Sequence, residues 1–538
     1  FPYTTHFRSG QLAPSSADAL APARLLHYRA LDALNQGHAD AALALLKQAE
    51  AGYAALLPPS ALTARRRSAA RLGGPGATLI PDQDLLADPA GQAALLGLIE
   101  TRRNEALVLR QLGKLDESRT MLASASDLAE ANGLARPILA ARLYRTSGVT
   151  AAAAGDASLA LADLAQSTAA FGRALPDSKP LADTYLLRAS ELARAGREAE
   201  ALPLCRSAVA ALIALKAGTT PTLMEPCLAA YGTAADATTE PHAKQALLAE
   251  MFGAAELAQG GITSQQIAQA TARLQENARD PRVAEAIRRR EDASAKLQSL
   301  YRARDELTAG AQGGSNGGAP AGTSAIDAQI KEAQSDLADA DAALQAASPN
   351  FGQLAQQVVP AAAVLAALHP HEALAAIMLG PHSGWVFVLR DGQITAHKAD
   401  LDLARATVLV KTLRAGIEPT EALPAFNVAA ARALYDKTLG TVAPALDGVQ
   451  ALVVAPSGPL LAFPFEVLLT GPADGAHLAD APWLLRRFTI THVPAPSNFV
   501  SLRKIAGGSR ATKPWFGFGD FIPLKLAQAE RSFPGASR

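Results

Sequence analysis

The sequence has almost no cysteine: Cys205 and Cys227 are the only two in 538 residues. Two thiols cannot by themselves build a disulfide framework or a four-ligand zinc site. Cys205 lies in an apolar helical stretch, and Cys227 follows Pro226 near the start of another. Both are expected as small buried hydrophobes, with a reactive thiol as the sharper alternative. Excess charge is also missing, with 50 basic residues set against 50 acidic ones. No global field draws the chain to nucleic acid or to a membrane surface. No run approaches the ~20 apolar residues of a membrane span. Aromatic residues are only 5 %, so alanine and leucine must build the cores. No P-loop occurs. His369, His371 and Glu372 lack the His-Glu-x-x-His spacing and read as a polar lead-in to an element. No cofactor and no metal is expected.

What the chain does have is helix, with Ala and Leu dominating an apolar fraction of 49 %. Residues 1–19 fit no helix or strand pattern and are set aside as unstructured or artefactual. From residue 20, glycines recur at Gly37, Gly113, Gly155 and Gly196, the last two intervals being 42 and 41 residues. Fixed self-similarity on that scale points to a solenoid. Seven residues before the glycines stand Ala30, Ala106, Gly148 and Ala189. Five residues after them come Ala42, Ser118, Ala160 and Ala201, and twelve after, Ala49, Ala125, Ser167 and Ala208. All are small, as expected where two antiparallel helices approach closely. Nine residues after the glycine come Leu46, Leu122 and Leu164, with Cys205 in the fourth unit. A fifth helical pair is expected at 222–236 and 242–259, with Thr238-Thr239-Glu240-Pro241 as its turn.

This pattern, in phrases such as Ala-Leu-Asp-Ala-Leu-Asn-Gln-Gly-His-Ala-Asp-Ala-Ala-Leu (30–43), resembles the tetratricopeptide repeat over residues 20–260. The resemblance implies a protein or peptide partner held on the face lined by the first helix of each pair. On this chain that face carries Arg24, His27, Arg103, Arg110, Arg142 and Arg145. It would be a basic groove for an acidic segment, supplied by another protein or by the protein's own C-terminal domain. The plainer alternative is an ordinary solvated face.

Residues 261–348 are charged and helical around a Gly-rich linker at 310–323. Ile326, Ile330, Ala333, Leu337, Ala340 and Leu344 recur at intervals of four and three, a coiled-coil seam that predicts an antiparallel hairpin. Arg288-Arg289-Arg290 is followed at once by Glu291-Asp292 and reads as a solvated helix face.

After Pro349 the period changes. Strands are expected at Ala373–Leu379, Gly384–Arg390, Ile394–His397, Ala451–Ala455, Phe488–Val493 and Trp515–Phe518. Asp391-Gly392 predicts a hairpin turn, and Leu403–Ile417 and Val428–Leu439 read as amphipathic helices. Strands mixed with helices mean an α/β domain over 349–538. The fold class expected is therefore a mainly α chain, an α-solenoid plus a coiled-coil hairpin, followed by a partial α/β domain.

The informative motif is Pro456-Ser457-Gly458-Pro459-Leu460, then Pro464-Phe465-Glu466-Val467-Leu468, with Gly519-Asp520 further on. Ser457-Gly458 should turn the chain, and Pro464-Phe465 should start a helix carrying Glu466. This succession resembles the CHAT family, caspase-like domains associated with tetratricopeptide repeats. Phe521 departs from the proline usual after Gly-Asp. The resemblance implies a cysteine peptidase, whose thiolate is activated by a histidine. In the family these two residues lie in His-Gly and Ser-Ala-Cys segments beyond the Gly-Asp turn. The chain ends 18 residues past Asp520, has no cysteine after Cys227, and follows neither His477 nor His492 with glycine. No catalytic residue is expected here, and the chain reads as the front portion of a larger protein. Its residues from about 500 onward are expected to be poorly anchored. Ser457 lacks the Gly-x-Ser-x-Gly elbow of a serine hydrolase, and Gly517-x-Gly519 lacks the third glycine of a dinucleotide site. The reading from another class is a non-enzymatic repeat scaffold with a degenerate CHAT domain.

Overall fold

The computed structural model describes residues 19–62, 89–215, 217–259, 288–297, 323–347, 358–417 and 425–505, with a few further helical positions between 285 and 303. The first part is helical: α1 (Ala21–Asn35), α2 (Ala39–Ala54), the short α3 (Pro59–Leu62), α4 (Pro89–Gln111), α5 (Leu115–Ala131), α6 (Pro137–Ala153), α7 (Ala157–Ala174), α8 (Lys179–Arg194), α9 (Glu198–Ala214), α10 (Pro221–Ala237) and α11 (Pro241–Gln259). They pack as hairpins, α1 with α2, α4 with α5, α6 with α7, α8 with α9 and α10 with α11, each stacked on the next.

The aligned glycines end the first helix of four pairs. Gly37, Gly113, Gly155 and Gly196 all have φ between +71° and +83°, a region where a β-carbon is disfavoured. In each, the amide after the glycine donates to a carbonyl five residues back: His38 to Ala33, Lys114 to Leu109, Asp156 to Ala151 and Arg197 to Leu192. These are Schellman caps, which satisfy carbonyls the helix end leaves open. All twelve small positions of the alignment are buried, and the eleven that carry a side chain are at 0 % exposure. Gly148 shows why size matters there. A β-carbon on it would stand 2.8 Å from Leu164 Cγ and 3.1 Å from the Ala160 carbonyl. Where serine replaces alanine it bonds across the pair: Ser118 Oγ donates to the Ala106 carbonyl (2.7 Å) and Ser167 Oγ to that of Ala141 (2.8 Å).

The cysteines depart from expectation. Both are fully buried, but they are joined to each other as a disulfide, with a Cα–Cα distance of 5.5 Å. Cys205 occupies the position that leucine fills in earlier pairs, and α10 crosses α9 at that point. A helical period read along one chain cannot foresee that crossing.

In the next segment α12 (Thr323–Ala347) runs beside the helical residues 288–297. Ile330, Ala333 and Ala340 of the expected seam are buried, with Ala293 opposite, and Lys296 Nζ lies 3.2 Å from Asp336 Oδ2. Ile326 and Leu337 are half-buried. The linker lies outside the described residues, apart from its final Thr323, as does the Leu344 side chain.

The last part is α/β. After α13 (Ala361–Ala367) come β1 (Glu372–Leu379), β2 (Gly384–Arg390) and β3 (Gln393–Ala399) as an antiparallel meander. Asp391 and Gly392 both take positive φ, as the tight two-residue turn requires. Then follow α14 (Leu403–Ala415), α15 (Val428–Lys437), β4 (Ala451–Pro456), β5 (Thr489–His492) and α16 (Pro496–Ile505). The sheet order is β3-β2-β1-β4-β5, with β1–β4 and β4–β5 parallel. One expectation is revised. Phe465–Val467 is a single 3-10 turn rather than a helix start, because the chain leaves it at once in extended conformation at Leu468. Phe499 and Val500 of α16 are buried and Arg503 pairs with Glu372, while the expectation of poor anchoring bears mostly on residues after 505, which lie outside the described residues. The expected strand at Trp515–Phe518 and the Gly519-Asp520 turn lie outside the described residues.

Both faces of the sheet are covered, which is why its central strands read as unbroken apolar runs. Ala373, Ala375, Ile377, Val386, Val388, Leu452 and Val454 face a core shared with α14 and α15. The alternate residues Leu374, Ala376, Met378, Trp385, Phe387, Leu389, Val453 and Ala455 face α8 to α11. The last helices of the stack are thus one layer of the α/β unit.

Candidate functional site

The first helices bring the arginines together in a way the glycine alignment explains. Ten residues before each glycine stand His27, Arg103, Arg145 and Leu186; thirteen before stand Arg24, Glu100, Arg142 and Asp183. Equivalent positions on stacked helices become neighbours in space. Glu100 accepts from Arg103 Nε (2.8 Å) and from Arg142 Nη1 (2.9 Å). Burial pushes its carboxyl up, but the two guanidinium charges and their hydrogen bonds outweigh that and hold it at about 2.

A single network runs from here into α1. Arg103 Nη2 donates to Asn104 Oδ1 (2.9 Å), and Asn104 Nδ2 contacts His27 Nε2 at 2.9 Å. His27 Nδ1 lies 2.8 Å from Thr101 Oγ1, which itself donates to the Gly97 carbonyl at 2.7 Å. That hydroxyl must accept from Nδ1–H, so Nε2 accepts from the amide and the ring is neutral. Burial lowers the His27 pKa accordingly. Arg145 lies over the Phe171 ring at 5.4 Å and donates to the Pro180 carbonyl (3.5 Å). Burial, with Arg103 and Arg142 nearby, brings its pKa down to about 10.

The six expected groove residues therefore divide. His27, Arg103 and Arg145 tie helices together, and Arg103 is only 7 % exposed. Arg110 sits in the last turn of α4, its pKa lowered by burial and its buried Nε without a hydrogen-bond partner among the described residues. Arg24 is exposed, and the Arg142 side chain is 47 % exposed. The acidic partners Glu100 and Asp183 were missed by reading arginines alone. The alignment of thirteen residues before the glycine holds them.

The second candidate region is the carboxyl end of β4, where open α/β sheets commonly hold their ligands. Pro456 ends the strand opposite Ile377. Ser457 Oγ accepts from the Leu379 amide (2.9 Å), tying the end of β4 to the end of β1. Gly458 turns the chain at φ +58°, and a β-carbon there would meet Leu403 Cδ1 at 2.9 Å. Leu460, Phe465 and Leu468 are at 0 % exposure, filling the core beneath the sheet. Pro464 precedes the 3-10 turn, and Glu466 within it faces His492 Nε2 at 3.2 Å from each carboxylate oxygen. His369 and Glu372 meet at the other end: Glu372 accepts from the His369 amide (3.0 Å) and pairs with Arg503. Among the described residues no cluster of three or more metal-ligating side chains occurs, and no helix is long and apolar enough to cross a membrane.

Fold and site together define a class: stacked helical hairpins whose last pair covers one face of a mixed α/β sheet, with a Pro-Ser-Gly turn closing its central parallel strand. The CHAT domain family model matches residues 428–537, from the first residue of α15 onward. The resemblance carried by the Pro456–Leu468 motif therefore holds for this C-terminal segment. Strands β1 to β3 precede the match but belong to the same sheet. No curated protein matches the chain.

Proposed function

We propose that this chain is the recruiting and positioning portion of a CHAT protein of the caspase-like cysteine-peptidase kind, in which tetratricopeptide-like repeats hold a protein partner. The observation that carries the reading is the row of charges on the first helices, Arg24, Glu100, Arg142 and Asp183, built at equivalent positions of successive repeats with Arg103 and Arg145 beside it. Arg24 and Arg142 are its accessible cations. An acidic peptide segment is the partner chemistry that suits them. Arg103 and Arg145 supply positive potential from behind while holding the helices in register.

The test is binding of a Glu-rich peptide followed by fluorescence anisotropy. The double reversal Arg24→Glu with Arg142→Glu should weaken binding about tenfold or more, and added salt should weaken it in the wild type. Unchanged affinity in the double variant would sink the groove. Arg103→Glu is a poor probe, since it would leave a second carboxylate beside Glu100.

A second reading, a non-enzymatic scaffold, is favoured by one observation. Both cysteines of the chain are in one disulfide, so the chain in this state offers no thiol nucleophile. On either reading, incubation with a denatured protein substrate should give no cleavage by this chain. Cleavage abolished by a thiol-alkylating reagent would refute both.

A further inference from the structure

Helix α10 is held from two sides. On one side Cys227 is bonded to Cys205 of α9. On the other, α10 meets the end of β1 and the start of β2. Glu225, two residues before Cys227, is 8 % exposed and accepts from Ser383 Oγ (2.7 Å) and from the His382 amide (3.2 Å). Five residues after Cys227, Gly232 lies so close under Trp385 that a β-carbon would stand 2.6 Å from the ring. Cys205, Cys227, Trp385, Phe387 and Leu389 belong to one continuous core. Glu225 also extends the charge row. It stands five residues after its helix N-cap, Thr220, as Asp183 stands five after Ser178 in α8.

We propose that the Cys205–Cys227 pair is a redox-sensitive lock on the docking of the repeat stack against the sheet. In the disulfide state α9 and α10 are one unit, so the Glu225 contact to residues 382–383 and the Gly232–Trp385 contact are held together. Opening it takes two electrons and two protons from a dithiol. The S–S bond breaks into two thiols, and the dithiol closes into its own disulfide. Both cysteines are at 0 % exposure, so attack requires a local opening around the disulfide, and once the bond is broken α9 and α10 are no longer tied and α10 can shift on the sheet. These are the only cysteines of the chain, so no other thiol within it can take over the bond. The inference stands apart from the proposed function: it concerns how α10 is held, whatever the first helices bind.

Hydrogen exchange with mass-spectrometric readout tests it, comparing the chain before and after treatment with dithiothreitol, with alkylation to count thiols. The expected result is no alkylation before reduction and two alkylated cysteines after it. Peptides covering 221–237 and 380–390 should exchange roughly tenfold faster in the reduced protein, while those of α1 and α2 stay unchanged. The double variant Cys205→Ala with Cys227→Ala should show the fast exchange and no response to dithiothreitol. Two alkylated thiols in the untreated protein, or equal protection of 380–390 before and after reduction, overturns the lock. Should the double variant not fold, the reduced wild type alone decides between these outcomes.

Discussion

Glu105 is the clearest case of a residue whose surroundings set its chemistry. It is at 0 % exposure on α4, facing Glu50 and Lys47 of α2, with Arg102 on its own helix. Burial first, and the Glu50 charge second, push its carboxyl up to about 8, against the pull of Lys47 and Arg102. Arg102 is already engaged by Glu50 at 2.7 Å and by Ser124 Oγ at 2.7 Å. A carboxyl raised on folding binds its proton more tightly in the native state. Its contribution to stability is whole below its unfolded pKa and lost as pH rises through about 8. The melting temperature should therefore fall from about pH 5 to about pH 8 and level off above that, and Glu105→Gln should flatten that slope. An unaltered slope in the variant would assign the loss elsewhere. Glu100 works in the opposite sense: its lowered carboxyl stabilises above its unfolded pKa, and that stability is lost as pH falls toward about 2.

At the scale of elements, the turn glycines carry the repeat. Gly155 has φ +79° and nothing within 4 Å of where a β-carbon would stand. Alanine there would meet no clash, only the backbone cost of the left-handed region, about 1–2 kcal/mol. Gly155→Ala should lower stability in denaturant titration by that amount and leave the unfolding slope unchanged. A neutral result would show that the cap relaxes to another turn. The residues that made the repeats legible are those whose role is local. A glycine at a helix end, or an alanine where helices touch, is demanded by the geometry of one hairpin. The strands were legible for a similar reason, since Gly384–Arg390 and the Asp391-Gly392 turn are local patterns, and β2 spans those same residues. The 3-10 turn at Phe465–Val467 was less so, because proline before an apolar run suits either kind of start.

For the whole molecule the junction between stack and sheet matters most. Gln245 of α11 bonds both backbone groups of Ile394, donating to its carbonyl (3.1 Å) and accepting from its amide (2.9 Å). An edge strand otherwise left with open groups is thereby covered. Glu256 accepts from the Val359 amide (2.9 Å), its carboxyl raised by burial, and Phe252 meets Phe387 edge to face at 5.8 Å. Helices α10 and α11 should open together with β1 to β3, whereas α1 and α2, at the far end of the stack, open separately. Hydrogen exchange would show this as shared protection of the first group. Gly232→Ala, by displacing Trp385, should lower that protection and leave α1 and α2 alone; loss confined to α10 would argue against a common unit.

The sequence by itself determined the hairpins, their caps, the small residues between helices, the strand periods and the Pro456–Leu468 motif. Each of these is written in residues a few positions apart. The tertiary structure alone decided the rest: that Glu100 bonds both Arg103 and Arg142, that Cys205 finds Cys227, and that Glu225 reaches Ser383 across 158 residues. Those pairings depend on how successive hairpins stack and where the stack meets the sheet. Superhelical geometry of that kind sums small angles over many helices, and no local period encodes the sum.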